Sequence, residues 1–170
     1  SGRTLYELYS EAYTPFEWHE ELFKHAKNCD VTLFSTPFDE SAVDLLESLD
    51  TPAYKIASFE IVDLPLIKYV ASKNKPIFMS TGMASKNEIE DAVRTVRENS
   101  SSDLLLFHCI SSYPAITEDS NLNNLTWLRE KFGVEVGLSD HTTDNIAAVT
   151  AIGMGAVAIE KHFKLDNEKC

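Results

Sequence analysis

One local pattern repeats along the chain and leaves few folds open to it. Six short apolar runs, at 31–34, 53–56, 76–79, 104–107, 134–138 and 156–159, each end abruptly in a polar cluster. Helix-patterned segments follow the first five, at 39–49, 63–72, 85–98, 121–132 and 144–153. Runs that are apolar throughout, without alternation, suit parallel strands covered on both faces. Strand, helix and strand in succession require right-handed crossovers, which bring every polar tip to the same end of one sheet. In α/β folds that end carries the ligand site.

Two architectures accommodate six such units: a doubly wound sheet, or part of a (β/α)8 barrel. No G-x-G-x-x-G follows any of the runs, which weakens the dinucleotide-binding form of the first. A complete barrel typically takes about 250 residues, so in 170 residues two of its eight units would be missing. The helix boundaries are marked by Ser85-Lys86-Asn87-Glu88, a capping box, and by Asp39, Asp63, Asn121 and Asp144 as N-caps. Upstream, 4–12 has helical spacing. Thr14-Pro15-Phe16-Glu17 reads as a second capping box opening a helix over 15–28, with Phe16, Leu22, Phe23 and Ala26 on one face.

Charge and cysteine usage narrow the partners. A net charge of −12 argues against nucleic acid and anionic membrane, both of which reward a basic face. No apolar run is long enough to span a bilayer and no segment resembles a signal peptide, so a cytoplasmic place of action is expected. Cys29, Cys109 and Cys170 form no C-x-x-C pair and are expected to be reduced.

The tips hold the chemistry: Ser35-Thr36-Pro37-Phe38-Asp39, Lys55-Ile56-Ala57-Ser58-Phe59-Glu60, Ser80-Thr81-Gly82-Met83, His108 to Pro114, Ser139-Asp140-His141-Thr142 and Glu160-Lys161-His162-Phe163. Hydroxyls recur at five of the six tips and lysine at two. Small hydroxyls and lysines gathered at helix N-termini supply what a phosphate needs, donors from several directions and compensating charge. Lys55 lies inside an apolar run, where a lysine needs an anion partner or a sheet edge. Glu60 suits a base or a carboxylate beside a metal, with a solvated glutamate as the plain alternative. His141 and His162 are either a pair of metal ligands or two satisfied surface histidines. Alternation puts Glu160 on the same side as His162 and turns Lys161 toward the helices.

Taken in order, Ser-Thr-Pro-Phe-Asp (35–39), Tyr-Lys-Ile-Ala-Ser-Phe-Glu (54–60), Ser-Thr-Gly-Met (80–83), Ser-Ser-Tyr-Pro (111–114), Gly-Leu-Ser-Asp-His-Thr (137–142) and Glu-Lys-His-Phe (160–163) resemble the signature of the N-acetylneuraminate synthase family. The segment 6–19, from Tyr6 to His19, resembles its pseudaminic acid synthase branch more than the sialic or legionaminic ones. The resemblance implies a (β/α)8 TIM barrel, here a fragment covering strands 3–8, that condenses phosphoenolpyruvate with an N-acetylated amino sugar aldose and releases phosphate. Carried over by position, it implies His141 and His162 as ligands of a divalent metal, Mn or Mg. It implies Thr36, Lys55, Ser58, Ser80 and Ser139 around phosphoenolpyruvate, with Ser111 and Tyr113 lining the same pocket. Glu60 would be the acid/base and Asp140 a catalytic residue near the sugar.

Parts of the family pattern are missing. The glutamate and lysine of the first two barrel strands and the arginine of a C-terminal antifreeze-like domain have no counterpart, and Asn167 stands where the family more usually has arginine. The expectation is an inactive, association-prone fragment of a homodimeric parent. Two other readings remain open: a non-catalytic sugar-phosphate binding module, and a metal-dependent aldolase that releases no phosphate.

Overall fold

A computed structural model of the chain describes Gly2 and residues 4–164. The expectations at Asn167 and Cys170 lie outside the described residues. Five strands, β1 (Tyr54–Ile56), β2 (Ile77–Ser80), β3 (Leu104–Cys109), β4 (Glu135–Asp140) and β5 (Ala158–Lys161), form one sheet. All pairs are parallel and the spatial order is β1-β2-β3-β4-β5, the order of the sequence. A doubly wound sheet reverses direction at a switch point. A sheet whose crossovers all step the same way is the open half of a (β/α)8 barrel, with its helices on the convex side.

The sixth expected strand is not formed. Residues 31–34 form no ladder, and the segment joins the sheet only through a bridge between Ser35 and Tyr54, with Lys55 N donating to Ser35 O at 3.2 Å. The apolar pattern fits a strand, yet a single bridge at the sheet's edge does not make a ladder. The other strands extend to their polar tips, which lengthens β3, β4 and β5 beyond their apolar cores.

Seven α-helices alternate with these strands or precede them: α1 (Leu5–Ala12), α2 (His19–Asn28), α3 (Glu40–Ser48), α4 (Leu64–Ser72), α5 (Lys86–Asn99), α6 (Asn123–Phe132) and α7 (Ile146–Gly153). Asp39 and Asp63 cap α3 and α4 by accepting from the N–H of Ala42 and Leu66. Ser85 and Glu88 close the expected capping box of α5. The box expected at Thr14 does not form. Pro15 is extended (φ −56°, ψ 143°) and leads into a 3₁₀ turn at Phe16–Trp18, so α2 starts later, at His19. The same sequence pattern closes instead at Thr4 and Glu7, ahead of α1. Asn121 does not cap α6, while Asp144 accepts from the Ile146 N–H at 2.8 Å ahead of α7.

The core fills the space between the convex face and the helices. Tyr54, Ile56, Ile77, Met79, Leu106, Val136 and Leu138 from the strands meet Leu46, Ile67, Val70, Val93, Val96, Leu125 and Leu128 from the helices, all buried. Each such aliphatic side chain contributes about 1.5–3 kcal/mol through burial. The concave face carries the opposite set of side chains. Phe34 stacks on Phe78 with ring centroids 5.1 Å apart, and Phe78 on Phe107 at 6.1 Å. Gly137 lies against the Phe107 ring, where a Cβ would come within 2.6 Å of it. This aromatic layer is the floor on which the polar tips stand. Among the described residues, no helix is long and apolar enough to cross a membrane.

Candidate active site

Lys55 sits above the aromatic floor at 8% exposure. Its Nζ donates to Ser80 Oγ at 2.6 Å, lies 3.4 Å from Glu160 Oε2 and is 5.5 Å from the centre of the Phe107 ring. Glu160 Oε1 in turn accepts from Ser139 Oγ at 2.6 Å, and Ser139 Oγ is 3.5 Å from His141 Nε2. One run of contacts thus joins β2, β1, β5 and β4, in the order Ser80, Lys55, Glu160, Ser139, His141. The register explains it. Ser139 is paired with Glu160 and with Cys109, and all three fall on the concave side by alternation.

A second group adjoins the first. Ser58 Oγ accepts from the Gly82 N–H at 3.2 Å and lies 3.2 Å from Cys109 Sγ, which is 3.8 Å from Ser111 Oγ. These atoms fill the place a side chain at residue 82 would take. A Cβ there would come within 2.9 Å of Ser58 Oγ and closer still to Cys109 Sγ and Ser111 Oγ. Thr36 is half-buried and follows Ser35 of the Ser35–Tyr54 bridge.

The two histidines stand together at the tips of β4 and β5, with ring centroids 5.2 Å apart. His141 Nδ1 donates to Ile110 O at 2.8 Å, because a carbonyl can only accept, which in the neutral ring leaves the lone pair on Nε2. Tyr113 covers both rings, its centroid 4.2 Å from His141 and 5.4 Å from His162. Among the described residues no third His, Cys, Asp or Glu joins the pair. A cation held here would take two ring nitrogens and complete its shell with oxygens from water and ligand, a mixed donor set that fits Mn better than Mg.

Glu60 opens a 3₁₀ turn at Glu60–Val62 and is half-buried. Burial raises its carboxyl above the ordinary glutamate value and nearby Asp63 adds to this, while Lys55 pulls the other way. Its Oε2 is buried without a hydrogen-bond partner. An orphaned carboxylate oxygen with a raised pKa is equipped to take a proton.

Asp140 does not join these groups. It lies on the helix-facing side of β4, where Oδ2 accepts from Lys161 Nζ at 2.6 Å and Oδ1 accepts from Thr142 N and Oγ1 at 2.9 and 2.8 Å. Burial would raise its carboxyl, but Lys161 and Thr142 outweigh it and hold the group below the usual carboxylate range. A position near a sugar in the mouth is therefore not where this side chain points. Lys161 faces the helices as alternation requires. Glu160, to which the sequence reading gave a direction and no task, is the residue that links the lysine to the β4 hydroxyl. Cys109 gave no signal beyond being unpaired.

Comparison with known proteins accords with this geometry. The NeuB family profile matches residues 1–169. The chain is 50% identical over 162 residues to the pseudaminic acid synthase of Helicobacter pylori, covering 95% of this chain and 48% of that enzyme. It is 43% identical over 150 residues to the N,N'-diacetyllegionaminic acid synthase of Campylobacter jejuni, covering 87% and 45%. The N-acetylneuraminic acid synthetase of Leptospira borgpetersenii, crystallised with citrate, superposes with a TM-score of 0.87 at 32% identity, covering 91% of this chain and 54% of that one. The chain thus spans about half the length of the curated relatives it matches. Its ordered tips, its half-barrel and these matches agree on one conclusion: the chain belongs to the NeuB family.

Proposed function

We propose that the complete protein carrying this chain condenses phosphoenolpyruvate with an N-acetylated amino sugar in its open-chain aldehyde form, giving a nonulosonic acid and phosphate. Pseudaminic acid is the product favoured, since identity to the Helicobacter pylori pseudaminic acid synthase is 50% against 43% to the Campylobacter jejuni legionaminic enzyme. The observation that carries the reading is the buried Lys55 ammonium, set among Ser80, Ser139 and Glu160 beside the paired imidazoles.

The proton inventory of these groups suits a phosphate or carboxylate. Lys55 donates to Ser80, faces Glu160 as an ion pair at 3.4 Å and keeps donors for a ligand. Ser80 accepts from Lys55, so its own hydroxyl proton is available to an anion. Ser58 accepts from the Gly82 N–H and extends the row of hydroxyls. Ser111, Thr36 and the Tyr113 hydroxyl flank the same mouth, where burial first, then Cys109, Glu160 and Tyr9, raise the phenol pKa and keep it a donor.

In the reaction the methylene carbon of phosphoenolpyruvate forms a C–C bond to the aldehyde carbon, and the carbonyl π pair becomes an alkoxide that takes up a proton. The cationic C2 left behind adds water, Glu60 accepts the first of that water's protons, and the C–O bond to phosphate breaks as the second passes to the departing phosphate, leaving the 2-keto acid. When bound by His141 and His162, a divalent cation, Mn or Mg, supplies Lewis acidity at the aldehyde oxygen. Asp140 has no part at the sugar in this scheme, because its oxygens are taken by Lys161 and Thr142.

The test is phosphate release by the complete protein given phosphoenolpyruvate, Mn and, separately, the pseudaminic precursor, the legionaminic precursor and N-acetylmannosamine. Release with only the first supports the full proposal. Release with another sugar keeps the chemistry and replaces the product, while binding without release from any would make the protein a sugar-phosphate binding module.

A further inference from the structure

Asp140 and Lys161 face each other across β4 and β5 as the last registered pair of the ladder, and His141 and His162 are the next residue on each strand. Alternation places the acid and the lysine on the helix side of the sheet and the two imidazoles on the mouth side. Past this pair no further β4–β5 pairing holds the two tips to each other.

The pair forms a closed clamp at that point. Lys161 Nζ donates to Asp140 Oδ2 at 2.6 Å and to the carbonyls of Thr142 and Asp144, each at 2.8 Å, which uses all three of its donors. Asp140 Oδ1 receives Thr142 N and Oγ1. The Asp140 side chain is 1% exposed, which shields its own bonds from water, while the Lys161 side chain is 31% exposed. His141 is therefore pinned on both sides in sequence: Asp140 and Lys161 grip residues 142 and 144 behind it, while its own Nδ1 is fixed to Ile110 O. The same lysine immediately precedes His162.

We propose that Asp140 and Lys161 are positioning residues that set the separation of the two imidazoles from the opposite face of the sheet, without touching any ligand. The inference rests on the reading of His141 and His162 as metal ligands made under Proposed function. Partners that orient a ligating residue are typically worth about 10- to 100-fold in metal affinity.

The test is Mn binding to the metal-stripped complete protein, followed by the paramagnetic resonance of free Mn, with the melting temperature of each variant measured beside it. Asp140→Asn and Lys161→Met should each weaken Mn binding by about tenfold or more. The double variant should be no weaker than the worse single one, as expected of two residues acting as one clamp. Asp140→Asn, which keeps an acceptor for Thr142, is the milder change and decides the matter where Lys161→Met fails to fold. Variants that melt lower but bind Mn within twofold of wild type would reduce the clamp to a structural role and overturn the proposal. If wild type and His141→Ala bind Mn equally, the metal reading itself fails, a result obtained without either clamp variant.

Discussion

Lys55 gives one proton to Ser80 at 2.6 Å and faces Glu160 at 3.4 Å, and these two contacts hold a lysine that is almost entirely buried on the concave face of the half-barrel. A buried ammonium with a single carboxylate nearby and donors to spare suits a ligand with more negative charge than Glu160 alone provides. Lys55→Met keeps the stem against Phe107 and removes the charge. Glu160, 40% exposed at its side chain, then turns to water. The complete protein carrying Lys55→Met should fold with a near-wild-type melting temperature and release phosphate at least about 100-fold more slowly. Wild-type turnover in this variant would remove Lys55 from the anion site.

Gly82 is required by close approach. A Cβ at this position would run into Cys109 Sγ, Ser111 Oγ and Ser58 Oγ, all of which belong to the site. Gly82→Ala should cost about 1–3 kcal/mol by denaturant titration, the usual range for overpacking a filled space. Cys109→Ala removes the nearest obstacle, so the double variant should be more stable than Gly82→Ala alone. Simple addition of the two costs would show that the chain yields somewhere else.

How much of this was legible in the sequence follows from what each feature depends on. The α/β unit, the common end of the tips and the split between Glu160 and Lys161 depend on local period and chain direction, and the structure bears them out. The run at 31–34 has the same composition as the true strands, but strand formation depends on a neighbour, and only Ser35 finds one. Thr14 and Thr4 carry the same capping pattern. The proline after Thr14 holds extended backbone there, while Thr4 closes on Glu7. Asp140 was assigned by motif to the sugar, although alternation with His141 next to it on the chain turns it toward the helices. The contacts of Cys109 with Ser58 and Ser111 depend on three strands in register and left no trace in the linear pattern.

Glu60 gives a signed pH prediction. Burial raises its folded pKa above the ordinary 4.5, so the folded chain holds this proton more tightly than the unfolded one. The stability it contributes is fully present below the ordinary value and is lost as pH rises through the folded value. Glu60→Gln removes this loss. Its stability relative to wild type should rise with pH across that window, measured by melts over roughly pH 4 to 8. Phosphate release should show the opposite dependence, rising in wild type as Glu60 ionises and nearly absent at every pH in Glu60→Gln. A variant with wild-type turnover would require another base.

Tyr113 separates two contributions that its position combines. The ring lies 4.2 Å from His141 and 5.4 Å from His162, so it steadies both imidazoles, while the hydroxyl remains a donor at the mouth. Tyr113→Ala removes both and Tyr113→Phe only the second. Aromatic pairs contribute about 0.5–1.5 kcal/mol beyond area, so Tyr113→Ala should weaken Mn binding by about 2- to 10-fold while Tyr113→Phe leaves it unchanged. A hydroxyl that bonds phosphoenolpyruvate is worth about 1 kcal/mol. Tyr113→Phe should therefore raise KM for phosphoenolpyruvate about fivefold with little change in kcat. Equal loss of Mn affinity in both variants would locate the effect in the hydroxyl and exclude the ring as the support of the histidine pair.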